Sequence, residues 1–184
     1  MKKILIFAEG KTSLELFAAA KDIADAEVKV VTFNGMGDFF ANYGAEVKVM
    51  PFENYDSDLF TAAVAALMDA EKPDYVWASA TQSGKDLTVR LAAKFDAPCV
   101  TTVVAVKEEE GKTLYTAPAY GGGILETYSY DAALQLASFR SGAYKAPEAG
   151  AACAVSEYVP AEAQLQVKIR EAVKEISEAV ALEY

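Results

Sequence analysis

The sequence contains no histidine. Histidine is the usual general base near neutral pH and the commonest metal ligand, so its lack removes a Ser-His-Asp triad and any His-ligated zinc site from within this chain. Cysteine is scarce too. Cys99 and Cys153 stand far apart with no CxxC partner, each in an apolar run. Both read as buried structural thiols, and two isolated cysteines suit a reducing cytoplasm better than a disulfide scaffold. Positive charge is in deficit: 17 Lys and Arg face 27 Asp and Glu, a net charge of −10. Such a field repels a phosphate backbone and an anionic membrane surface, which argues against nucleic-acid and membrane partners. No stretch approaches the roughly 18 apolar residues of a membrane span. The opening apolar run Ile4-Leu5-Ile6-Phe7 is too short for a signal peptide and stops at Glu9, so it reads as a first buried strand. No carboxylate pair stands out as an acid/base couple, and a catalyst working on its own is not expected.

What is present is a rhythm. A chain of 184 residues suits one domain spanning 1–184. Strand-like runs at Ile4–Ala8, Val28–Phe33, Glu46–Met50, Tyr75–Ala78 and Cys99–Val106 alternate with helical spacing at Leu14–Ile23, Phe39–Tyr43, Leu59–Ala70 and Lys85–Phe95. Alternation of this kind with short loops predicts a three-layer α/β/α, Rossmann-like parallel core over residues 1–106. Residues 107–159 break the rhythm. Lys112–Thr116, Ile124–Tyr130 and Ala133–Phe139 are β-prone and separated by turns at Glu110-Gly111 and Tyr130-Asp131. Strands that follow so closely are expected to pair antiparallel. Ala149–Val159 reads as one more strand. After Pro160, the spacing of Leu165, Ile169, Val173, Ile176 and Val180 predicts a long C-terminal helix over Ala161–Leu182. The run Glu108-Glu109-Glu110 reads as a solvated hairpin turn.

In open α/β sheets ligands sit at the carboxyl ends of the strands. The segment Ser79-Ala80-Thr81-Gln82-Ser83-Gly84-Lys85-Asp86 is the most suggestive of those ends. It offers hydroxyls, a glycine and helix N-terminal amides beside a lysine, which suits an anion or nucleotide phosphate. Thr81, Gly84, Lys85 and Arg90 are the candidate contacts. The spacing is neither a P-loop nor GxGxxG, and a plain polar strand-to-helix turn with a cap explains the same residues. Arg140 could grip a phosphate as Arg90 could, with surface ion pairing the simpler reading of both. Tyr120-Gly121-Gly122-Gly123 is either a close-approach point or a kink between strands. Trp77, mid-strand, is expected to pack against a helix. Tyr115, Tyr120, Tyr128 and Tyr130 cluster in the antiparallel part and mark a candidate partner-facing surface.

Three segments in order carry a resemblance. Ala80–Ala93 matches a strand ending in Ala-Thr, then Gly-Lys or Gly-Arg, then a helix with Arg-Leu-Ala. Lys112–Gly122 matches a strand running into Tyr-Gly-Gly, and Ser138–Tyr144 matches a segment with arginine followed by an aromatic residue. Together with Met1–Glu9 they resemble the N-terminal domain of electron transfer flavoprotein alpha subunits over nearly the whole chain. Ala117 stands where that family usually has arginine, and Ser141 where it usually has proline. The resemblance implies an adenine-nucleotide-hydrolase-like α/β fold. It also implies one part of a heterodimeric electron carrier that draws electrons from flavin dehydrogenases or reduced nicotinamide. In that family the FAD sits mostly in a second domain, and the beta-type subunit, which can carry AMP, packs against this one partly through its antiparallel strands. No position here matches the FAD-gripping residues of that second domain, so the expectation is a fragment or short relative that docks with partners and does not hold FAD tightly alone. The competing expectation is a stand-alone AMP- or ATP-binding protein of the same superfold, in the manner of universal stress proteins.

Overall fold

The computed structural model describes residues 1–160. Its main sheet is built from β1 (Lys2–Phe7), β2 (Ala26–Thr32), β3 (Glu46–Val49), β4 (Tyr75–Ser79), β5 (Cys99–Val103), β9 (Gln135–Phe139) and β10 (Val155–Glu157), in the order β10-β3-β2-β1-β4-β9-β5. Every pairing in it is parallel. A second sheet of three antiparallel strands is formed by β6 (Ala105–Glu109), β7 (Lys112–Ala119) and β8 (Ile124–Ser129). The helices are α1 (Leu14–Ala19), α2 (Gly37–Ala41), α3 (Ser57–Glu71) and α4 (Gln82–Phe95).

The central strands are apolar on both faces because both faces are covered. Successive side chains of a strand point to opposite sides, and β1 divides its residues accordingly. Ile4 and Ile6 join the cluster under α1 and α2, while Leu5 and Phe7 join the one under α3 and α4. The small sheet packs on the α1 side, with Val106, Tyr115 and Ala117 in the same cluster. Asp56 caps α3, its carboxylate accepting the N–H groups of Asp58 at 3.0 Å and Leu59 at 2.9 Å. The expected α/β/α layering and antiparallel extension are therefore present. The helix expected after Pro160 falls outside the described residues.

Four expectations need correction. Ala133–Phe139 does not extend the antiparallel part. Gln135–Phe139 is wholly buried and inserts in parallel between β4 and β5. Short turns force antiparallel pairing only when neighbours in sequence are neighbours in space; here the whole β6–β8 excursion is the crossover that a parallel pair requires. Likewise β10 pairs in parallel with β3. The single strand expected over Cys99–Val106 is two strands in two sheets, with a register break between Val100 and Val103 and a positive φ of 63° at Thr102. The thiols differ from the expected burial, since Cys153 is exposed and Cys99 half-buried.

The acidic turn is more than solvated surface. Glu110 and Gly111 take φ of 51° and 75°, the left-handed pair of a two-residue hairpin. Glu108, however, lies 2.6 Å from Lys2 and accepts the N–H of Ala24 at 3.1 Å, tying the small sheet to the amino-terminal end of the large sheet's central strand, β1. The Lys2 and Ala24 contacts hold the Glu108 carboxyl below its ordinary range.

Candidate functional site

The carboxyl ends of β1 and β4 lie side by side, and α4 begins beside them. Thr81 is the N-cap of α4, its hydroxyl oxygen accepting the Gly84 N–H at 3.0 Å. Gly84 is required for contact: a Cβ there would lie 2.1 Å from the carbonyl oxygen of Ser79. The helix thus starts at Gln82, one turn earlier than the spacing of Leu87, Leu91 and Phe95 suggests, and the polar segment is its first turn.

An anion does sit at this helix start, and it belongs to the chain. The hydroxyls of Thr81 and Ser83 both donate to the carboxylate of Glu9, the residue two past the end of β1. A carboxylate is favoured there by the partial positive charge of the helix N-terminus. Below it, the buried hydroxyls of Ser13 and Ser79 meet at 3.0 Å, and Ser13 accepts the Glu9 N–H at 3.2 Å. Glu9 was not among the sequence candidates. Its signal was available, an acidic residue before a glycine at a strand's carboxyl end, but a site pictured as anion-binding directs attention to donors.

The four candidates do not converge. Thr81 and Gly84 meet at the cap. Lys85 is exposed in the first turn and has no ion pair among the described residues. Arg90 is committed elsewhere, with Nε 2.9 Å from Asp86 and Nη1 3.5 Å from Asp58. Asp86 also accepts the Tyr55 hydroxyl at 2.8 Å. Burial opposes charge on Asp86, but hydrogen bonds from Arg90, Ser57 and Tyr55 outweigh it and hold the carboxyl below its ordinary range. A cleft of about 410 Å³ beside the helix start is lined by Tyr55, Ser57, Gln82, Ser83 and Asp86. Arg140, just past β9, is exposed. Among the described residues there is no cluster of histidine, cysteine or carboxylate groups able to hold a metal ion, and no helix long and apolar enough to cross a membrane.

The second feature is the far end of the small sheet. Tyr120, Gly121 and Gly122 all take positive φ (50°, 67° and 91°), which makes the glycine triplet a kink between β7 and β8. The kink projects an apolar tip: Tyr120 is 84% exposed, Leu125 65% and Ile124 48%. The expected tyrosine surface is thereby divided. Tyr115 is fully buried in the core, where burial pushes its phenol up, and Tyr128 and Tyr130 are half-buried.

The sequence profile of the electron transfer flavoprotein domain matches residues 8–163. The chain belongs to that family. Within it the chain is an alpha-subunit-like module. It is 30% identical over 197 residues to the protein FixB of Clostridium saccharobutylicum, covering 94% of this chain and 58% of that protein. Against the electron transfer flavoprotein subunit alpha of Syntrophomonas wolfei it is 29% identical, covering 83% and 51%. Against that of Mycobacterium tuberculosis it is 31% identical, covering 89% and 55%. The chain spans about half the length of the relatives it matches.

Flavin is implied by the family, and the described residues at the start of α4, beside the ends of β1 and β4, fit its pyrophosphate poorly. A dinucleotide pyrophosphate wants free amides, hydroxyls or cations at a helix start. Here the Gly84 amide is held by Thr81 and the two hydroxyls by Glu9, and the one cation of the helix's first turn, Lys85, is outnumbered by two carboxylates, Glu9 and, in the adjoining cleft, Asp86.

Proposed function

We propose that this chain is the docking scaffold of a flavin-containing electron carrier. Its partner is a beta-type subunit of the same family, and FAD is held by the assembled complex rather than by this chain alone. The observation that carries the reading is the exposed apolar tip of Tyr120, Ile124 and Leu125 on a sheet anchored to the main body. Large exposed apolar residues at a protruding turn are the residues that dominate interfaces, with an aromatic among them as anchor. The Glu9 carboxylate supports the other half of the reading. It occupies the position where the competing AMP- or ATP-binding reading requires a phosphate, and disfavours that reading. Electron donors such as flavin dehydrogenases would then engage the complex, in a reducing, cytoplasmic compartment.

The test mixes the purified chain with a beta-type subunit and FAD and follows mass and flavin absorbance by size-exclusion chromatography. A joint peak is expected, with the isolated chain colourless. Leu125→Asp should weaken that complex at least about tenfold, the scale of a lost hot spot. An isolated chain that retains stoichiometric flavin, or a complex indifferent to Leu125→Asp and Tyr120→Ser alike, would refute the proposal.

A further inference from the structure

A second cleft lies at the opposite, amino-terminal end of the main sheet, where the first residues of β4 and β9 meet the start of β7 and the end of β8. It encloses about 440 Å³, a size typical of small-ligand pockets. Its wall includes Lys2, Asp74, Lys112, Tyr130, Asp131 and Gln135.

Gln135 is the informative residue. It opens a strand buried along its whole length and is itself only 6% exposed. Its Nε2 donates to the carbonyl oxygens of Tyr130 at 3.3 Å and Ala132 at 3.2 Å. Two carbonyls fix which end of the amide faces them, since the reverse orientation would set oxygen against oxygen. The other end, Oε1, is buried with no hydrogen-bond partner. A buried acceptor without a donor costs roughly 1–3 kcal/mol, so a group that supplies the donor recovers that cost.

The charges around it indicate which donor. Lys2 is neutralised by Glu108 at 2.6 Å. Among the described residues, Asp74 accepts a backbone amide, that of Lys3 at 2.7 Å, and has no ion pair. Asp131 is exposed and has no ion-pair partner among the described residues. Lys112, also exposed, pairs with no carboxylate among the described residues. Counting Glu108, three carboxylates stand against two ammonium groups, within a chain of net charge −10. Gln135, Asp131 and Asp74 line the same cleft, so a cation seated there has the unpartnered amide and both carboxylates in its wall.

We propose that this cleft binds a cationic nitrogen group, a guanidinium or primary ammonium, which donates to Gln135 Oε1 and pairs with Asp131 and Asp74. The group comes either on a small free amine or on a side chain of a partner protein. The site lies away from the Glu9 end and does not rest on the docking role proposed for the small sheet's tip.

The experiment is an amide NMR titration of the full 184-residue chain, read at the Gln135 side-chain NH2 and at the Asp131 and Lys112 backbone amides. The probes are agmatine, a blocked tripeptide Gly-Arg-Gly, and the same tripeptide with citrulline for arginine. Saturable shifts with agmatine alone assign a free amine as the source; shifts with the arginine peptide assign a protein side chain. Gln135→Met is expected to weaken binding about tenfold, the loss of one hydrogen bond to a charged group. Asp131→Asn, on an exposed loop, should weaken it several-fold. Absence of saturation with both cationic probes would overturn the site. So would equal shifts with the citrulline peptide, or affinity unchanged in Asp131→Asn.

Discussion

The two sheets of this molecule obey different rules. β4 and β9, both interior strands of the large sheet, are buried at every position. In the small sheet, β7 alternates buried and part-exposed residues, and β8 has no fully buried residue at all. The large sheet is sandwiched between helices on one side and helices plus the small sheet on the other, so its stability is internal. The small sheet spends one face on the shared core through Val106, Tyr115 and Ala117 and leaves the other to its surroundings. One sheet is a body and the other a contact surface, and substitutions in the two should behave oppositely.

The largest effect is expected from Trp77→Ala. Trp77 is fully buried at the centre of β4, with its ring 4.8 Å from Phe139 and 6.0 Å from Tyr75. Truncating an aromatic of that size costs about 3–5 kcal/mol, measurable as a shift of the urea midpoint at constant m-value. A loss under about 1 kcal/mol would mean the large sheet is not the body. Gly84→Ala comes next. The added Cβ meets a backbone carbonyl 2.1 Å away, with no flexible side chain to yield, so α4 must move off β4 at a cost of about 2–3 kcal/mol. Its circular dichroism should stay helical while the thermal midpoint falls.

The same contrast explains what could be read from the sequence. β1 to β4 were legible because each is an apolar run beside a helical repeat, and a strand covered on both faces has no other way to be written. β9 has an equally apolar run, yet its partners were misread. Which strand lies beside Gln135–Phe139 is decided by the path of β6–β8, and no property of those five residues reports that path. At the candidate site, Thr81 and Gly84 were legible as a cap because capping is local. Glu9 was not, because its bond to Thr81 and Ser83 spans more than seventy positions of sequence and exists only once β1 and β4 are adjacent. Tyr115 and Tyr120 look alike in composition; strand alternation turns one into the core, and the glycine kink turns the other out.

Between body and surface lies the charged border of the large sheet. Glu71 on α3 meets Lys29 of β2 at 2.7 Å and Lys48 of β3 at 3.5 Å. The Lys29 hydrogen bond, opposed in part by burial, holds the Glu71 carboxyl below its ordinary range. A carboxyl depressed in the folded state stabilises at pH values above its unfolded value, and that contribution is lost as pH falls through the depressed folded value. Glu71→Gln is therefore expected to cost up to about 1 kcal/mol near neutrality. The difference from the parent should close in acid, when stability is followed from pH 7 downward. A gap that persists below the carboxylate range would assign the effect to packing instead of charge.

The smallest expected effect is the most diagnostic. Leu125→Asp places a charge on a residue already 65% exposed at the start of β8, and substitutions at such positions usually fall within about 0.5 kcal/mol. The isolated chain should melt as the parent does, while the complex with a beta-type subunit weakens about tenfold or more. Stability and association are thus separated in one residue. If Leu125→Asp instead destabilised the lone chain by as much as Gly84→Ala, the tip would be packed against the chain's own residues and the small sheet would belong to the body. If it left both readouts untouched, the tip would be neither body nor contact. Only a stable monomer that no longer finds its partner fits a sheet whose inner face is held by Tyr115 and whose outer end is kept open by Gly121 and Gly122.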